Sequence, residues 1–170
     1  FAQMAAGTLN EASLSFDDFI KDAKEVIAYF KNQKKYNKII IAGHSEGALI
    51  GMVAANGNAD AYISLAGAGR PIDEVLLEQI GKQAPFLKEE VQKNLEILKS
   101  GKTFENKNQM LAALFRESVQ PYMISWIKYN PQNEIKKIQI PVLIINGDKD
   151  LQVTVADAQA LKQAKPDAKF

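Results

Sequence analysis

Ile40-Ile41-Ala42-Gly43-His44-Ser45-Glu46-Gly47-Ala48-Leu49-Ile50 decides how the rest of the 170-residue chain is read. An apolar β-branched run leads into Gly-x-Ser-x-Gly, and small residues follow it. Strand, sharp turn and helix, in that order, are what a nucleophilic serine on an exposed turn requires. Such a turn is strained, so the residues two before and two after the serine must be small; Gly43 and Gly47 meet that need. The turn sets the Ser45 hydroxyl at the amino end of a helix, where unpaired N–H groups and the helix dipole stabilise a developing oxyanion. The backbone N–H of Glu46 is the expected donor. The plainer alternative is a serine at an ordinary helix N-cap.

Outward from this stretch, strands alternate with helices. Ser15 opens a helix, with Asp18 three residues on as an imperfect capping box. Phe16, Phe19, Ile20, Ala23, Val26, Ile27 and Phe30 recur at helical spacing and predict one buried face. Asp17, Lys21, Asp22, Lys24, Glu25 and Lys31 make the opposite, solvated face. Residues 1–12, small and polar, read as a loop. Residues 38–42 form an apolar run without alternation, which predicts a parallel strand buried on both faces. Residues 43–47 turn it and residues 48–55 form a helix, which Asn56-Gly57-Asn58 stops. Strands are expected over 61–65 and 138–146, and a last helix over 155–164. This pattern predicts an α/β fold with three parallel strands and flanking helices. The helical stretch between the second and third strands is too long for a simple crossover. Residues 1–70 and 138–170 are therefore expected to form the core, and 71–137 a helical cap inserted over the sheet's carboxyl edge.

A serine nucleophile needs a base and a carboxylate to orient that base. In Ile144-Ile145-Asn146-Gly147-Asp148-Lys149-Asp150-Leu151-Gln152-Val153, the loop after the third strand, two aspartates compete for the second role. Spacing favours Asp150, three residues after Gly147 and three before Val153, with Asp148 shaping the turn; the alternative is that both are turn residues. No base is in evidence. His44 is the only histidine, and on an elbow adjacent side chains diverge, so it is expected to brace the turn rather than take the serine's proton.

Composition narrows the remaining classes. With 21 Lys+Arg against 20 Asp+Glu, the net charge of +1 carries no basic excess of the kind that holds nucleic acid. Cysteine is absent, which excludes disulfides and thiolate chemistry. No metal-ligand cluster or cofactor is called for. No apolar run is long enough to cross a membrane. Phe86, Leu87, Met110, Leu114, Phe115, Tyr122, Met123 and Trp126 either line an apolar acyl pocket or only hold the cap together. Arg70 and Arg116 either meet a substrate carboxylate or are solvated. The sequence assigns neither a compartment nor an oligomeric state.

Gly43-His44-Ser45-Glu46-Gly47 after Ile39-Ile40-Ile41, together with Pro141-Val142-Leu143-Ile144-Ile145-Asn146-Gly147-Asp148-Lys149-Asp150, resembles the α/β-hydrolase superfamily. The wording is similar to its serine aminopeptidase and lysophospholipase-like esterase branch. The resemblance implies Ser45 as nucleophile, Asp150 as the acid after the seventh strand, and Glu46 N–H as one oxyanion donor. It implies no cofactor, and a small ester or short peptide as substrate. It also implies a histidine after an eighth strand and a second oxyanion donor after a third, and neither is found here. The chain is accordingly expected to be an internal piece, strands five to seven, of a hydrolase of about 250 to 300 residues. By itself it is expected to be inactive and, with apolar strand edges open, poorly soluble. The function expected is a carboxylic-ester hydrolase; a peptidase, an acyltransferase or a non-catalytic binding protein of the same fold are the alternatives.

Overall fold

A computed structural model describes residues 7, 8 and 10–170. The loop expected at the amino end falls outside these residues for 1–6 and 9. Within them Glu11–Ser13 make a 3-10 turn, with Asn10 accepting from the Ala12 N–H at 3.2 Å. Helix α1 then runs Phe16–Asn32. Its capping box forms in both directions: Ser15 Oγ accepts from Asp18 N at 3.2 Å, and Asp18 accepts from Ser15 N at 2.8 Å.

Strands β1 (Ile40–His44), β2 (Ala61–Leu65) and β3 (Val142–Ile145) form one parallel sheet in the order β1-β2-β3. Ala42 lies opposite Ile63, and Ile63 opposite Leu143. Helix α2 (Glu46–Ala55) follows β1 directly. Helix α2 lies close on the sheet at Gly51, where a Cβ would come within 3.2 Å of the Ile41 side chain. Outside β3, Lys169 extends the ladder: Ile144 N donates to Lys169 O at 2.8 Å, and Lys169 N to Val142 O at 2.9 Å.

Two expectations about the strands change. The third strand is shorter than residues 138–146, because the Ile138 side chain enters the core and Pro141 offers only its carbonyl, to Tyr62 N at 2.9 Å. The first strand is not buried on both faces. It lies at the sheet edge, and Ile40 is 55% exposed. The apolar stripe of α1 is likewise only half used. Phe16, Ile20 and Ile27 are buried, whereas Phe19, Val26 and Phe30 are exposed.

Between β2 and β3 lie α3 (Ile72–Gln83), α4 (Lys88–Lys99), the single-turn α5 (Ala112–Phe115), α6 (Gln120–Ile127) and α7 (Pro131–Lys137). Helix α8 (Val155–Ala164) follows β3. The core has two parts. Phe16, Met52, Tyr62, Ile144 and Leu161 belong to the one beneath the sheet, and Ile135 of α7 packs with them. Leu87, Val91, Leu95, Leu98, Phe115 and Met123 make the other, inside the helical segment. Trp126 packs against both.

Candidate active site

The chain reverses at Ser45 with φ 54° and ψ −121°. A left-handed conformation at a non-glycine residue costs about 1–3 kcal/mol and persists only where its surroundings impose it. Here the parallel ladder continues into the turn, with Ser45 N donating to Leu65 O at 3.0 Å. On the other side Ala48 N donates to Ser45 O at 2.9 Å. Ser45 occupies the N-cap position of α2, yet its side chain makes no capping hydrogen bond. The Glu46 N–H donates to no acceptor among the described residues.

The two glycines of the turn are not equivalent. A Cβ at Gly43 would lie 2.1 Å from Gly47 O and 2.7 Å from Ala48 Cα. A Cβ at Gly47 would meet nothing within 4 Å among the described residues, so of these two glycines only Gly43 has a steric reason.

Asp150 lies in the loop after β3, half-buried. Its Oδ1 accepts from Val153 N at 3.0 Å and Gln152 N at 2.9 Å. Those two amides hold its carboxyl below the usual aspartate range, with a smaller contribution from His44. Oδ2 accepts no hydrogen bond among the described residues. Asp148 is exposed and makes no such turn. Asn146 closes the loop's base, its Nδ2 donating to Val153 O at 3.1 Å. His44 is exposed, and no hydrogen bond joins it to Ser45.

Ser45 and Glu46 open onto a cleft of about 190 Å³. Leu49 and Trp126 line it, with Ile72, Val75 and Leu76 of α3 opposite and Val153 of the acid loop at one side. Of the eight apolar residues considered for an acyl pocket, only Trp126 lines this cleft. Leu87, Phe115 and Met123 hold the helical segment together, while Phe86 and Met110 project into solvent. Ile72, Val75 and Leu76 recur at helical spacing in the sequence, but periodicity does not say which of two neighbours a stripe faces. The Tyr122 hydroxyl donates to the Glu46 carboxylate. Burial, and then that carboxylate, push the Tyr122 phenol far up, so it stays neutral.

The two arginines have protein partners. Arg70 reaches Asp157 through Nε at 2.9 Å and Nη2 at 3.0 Å, and Glu78 through Nη1 at 2.5 Å. Arg116 pairs with Glu11 near the amino end. Arg70 nonetheless lines the cleft beside Ser45, whereas Arg116 does not. Asp157 was not singled out by sequence, although Thr154-x-x-Asp157 carries the capping-box pattern that would have marked it. Among the described residues no group of three or more acidic or histidine side chains could hold a metal. No helix among them is long and apolar enough to cross a membrane.

A parallel sheet whose first strand turns on a left-handed serine into a tightly packed helix, with an aspartate loop after the third strand, defines an α/β-hydrolase. A family model described as serine aminopeptidase, S33, matches residues 9–169, and the chain belongs to that family. It is 27% identical over 153 residues to esterase EstD of Thermotoga maritima, covering 84% of this chain and 34% of that protein. Among solved structures, Est1E of Butyrivibrio proteoclasticus with ferulic acid bound superposes with a TM-score of 0.60 at 20% identity, over 92% of this chain and 58% of that one. A lipase-esterase related protein from Clostridium acetobutylicum gives 0.55 at 16% identity, over 91% and 65%. These superpositions concern the fold. The chain spans about a third of EstD.

Proposed function

We propose that this chain carries the nucleophile and the acid of a carboxylic-ester hydrolase. The observation that carries the reading is the left-handed Ser45 between β1 and α2, its hydroxyl unused as a cap and the next amide without an acceptor among the described residues. Ser45 Oγ attacks the acyl carbon, and its proton passes to a histidine from outside these 170 residues. The Glu46 N–H bonds the oxyanion of the tetrahedral intermediate. The alcohol leaves with that proton, and water then releases the acyl group from Ser45 by the same route. Asp150 orients the histidine through its free Oδ2 while Oδ1 stays in the turn. Of residues 71–137, helices α3 to α5 act as a cap, since α6 and α7 pack onto the sheet's core, and the apolar α3 wall receives the acyl chain. EstD, an esterase by name, supports an ester rather than a peptide substrate.

A fluorophosphonate probe on the full-length enzyme tests this. Wild type should label and Ser45→Ala should not, and p-nitrophenyl esters should be hydrolysed faster than aminoacyl anilides. A folded full-length protein that does not label would overturn the hydrolase reading.

A further inference from the structure

We infer that Arg70 and Asp157 are positioning residues for Asp150, an inference that rests on the acid role proposed above. Asp157 is 1% exposed, and both its oxygens are fully engaged. Oδ1 accepts from Arg70 Nε and from Gly69 N at 3.2 Å; Oδ2 accepts from Arg70 Nη2, Thr154 Oγ1 at 3.1 Å and Thr154 N at 3.3 Å. One carboxylate thus joins the end of the β2 loop to the end of the acid loop, with Arg70 and Asp157 87 residues apart.

The connection from there to Asp150 is short. Thr154 follows Val153, whose amide holds Asp150 Oδ1, and Val153 is itself buried. Gln152, the other amide on Oδ1, is tied through its carbonyl to Gln79 Nε2 of α3 at 3.1 Å. Arg70 in turn bonds Glu78 on the same helix. There is no slack in the joint, because a Cβ at Gly69 would sit 2.1 Å from Asp157 O. Against an apolar pair of the same size, a buried bidentate ion pair brings little net stability. What it does bring is fixed geometry, and a catalytic carboxylate on a loop needs that from its neighbours.

A kinetic double-mutant cycle in the full-length enzyme tests this, with kcat expressed per serine titrated by fluorophosphonate so that unfolded molecules do not count. Arg70→Ala should lower kcat about 10- to 100-fold with KM changed less than about threefold, and Arg70→Lys should recover part of the loss. In an Asp150→Ala background the same Arg70→Ala change should alter kcat less than about twofold, because the residue it positions is gone. Losses that multiply in the double variant, or a native kcat in Arg70→Ala, overturn the inference alone. A native kcat in Asp150→Ala overturns both it and the acid assignment. Should Arg70→Ala fail to fold, Arg70→Lys and Gln79→Ala, which removes only the Gln152 tether, run the same cycle with the same criteria.

Discussion

Gly43 and Gly47 hold matching places in Gly-x-Ser-x-Gly but not matching space. As α2 turns away from the strand, it brings the carbonyl of Gly47 over Cα of Gly43, and nothing correspondingly covers Gly47 among the described residues. Gly43→Ala therefore sets a methyl against backbone that cannot move without breaking the turn. It should cost about 3 kcal/mol or more. Gly47→Ala should change stability by less than about 1 kcal/mol, since alanine is the better helix former. Urea unfolding midpoints of the two variants check this directly, and equal midpoints would refute it. The serine turn was legible because its residue types are demanding. The asymmetry was not, because it comes from the handedness of the following helix and not from any residue type.

Elements were readable where the chain punctuates them. β2 and α8 occupy the residues expected, β2 beginning after the Asn56-Gly57-Asn58 break and α8 after the Thr154 cap. The ends of β1 and β3 were not readable, since an apolar run does not mark where ladder hydrogen bonds begin and Ile138 spends its side chain on the core. Helix α1 shows the same limit on burial. Its spacing named seven apolar positions, but neighbours decide which are covered. Phe16 stacks on Trp126 with centroids 5.4 Å apart and planes 6° from parallel. Its N–H donates to Ser125 Oγ at 2.7 Å, so the first turn of α1 is fastened to α6. Phe16→Ala should cost about 3–5 kcal/mol, as a fully buried aromatic does. Phe19→Ala, on the same stripe but 41% exposed, should cost no more than about 1 kcal/mol. Thermal unfolding of the pair measures the difference, and similar losses would mean that the stripe is buried along its whole width.

At the scale of the whole molecule, the two apolar clusters meet at Trp126 and are joined by ions as well. Glu11 and Arg116 tie the amino end to the helical segment, and Arg70 with Asp157 and Glu78 ties that segment to α8. These joints depend on carboxylates held below their usual range. Hydrogen bonds from Lys82 and then Arg70 bring Glu78 from 4.5 to about 2. Arg116 and then Ser118 do the same for Glu11, also to about 2. Burial alone would raise Asp157, but its hydrogen bonds and charge pairing with Arg70 outweigh that and leave it lowered. A carboxylate with a depressed folded value contributes its stability fully above the unfolded value and loses it as pH falls toward the folded one. Stability should thus be flat above about pH 5 and decline between about 4.5 and 2, with the partly exposed Arg70–Glu78 pair worth no more than about 1 kcal/mol after solvent screening. Because the losses fall on the joints, the clusters should part before they melt. Trp126, the only tryptophan, packs against both clusters and reports the parting. Its fluorescence should shift to the red through that pH window while far-UV circular dichroism still reads helix. If the two signals instead change together, the joints are not the weakest part of the fold, and the acid-sensitive carboxylates lie within the clusters themselves.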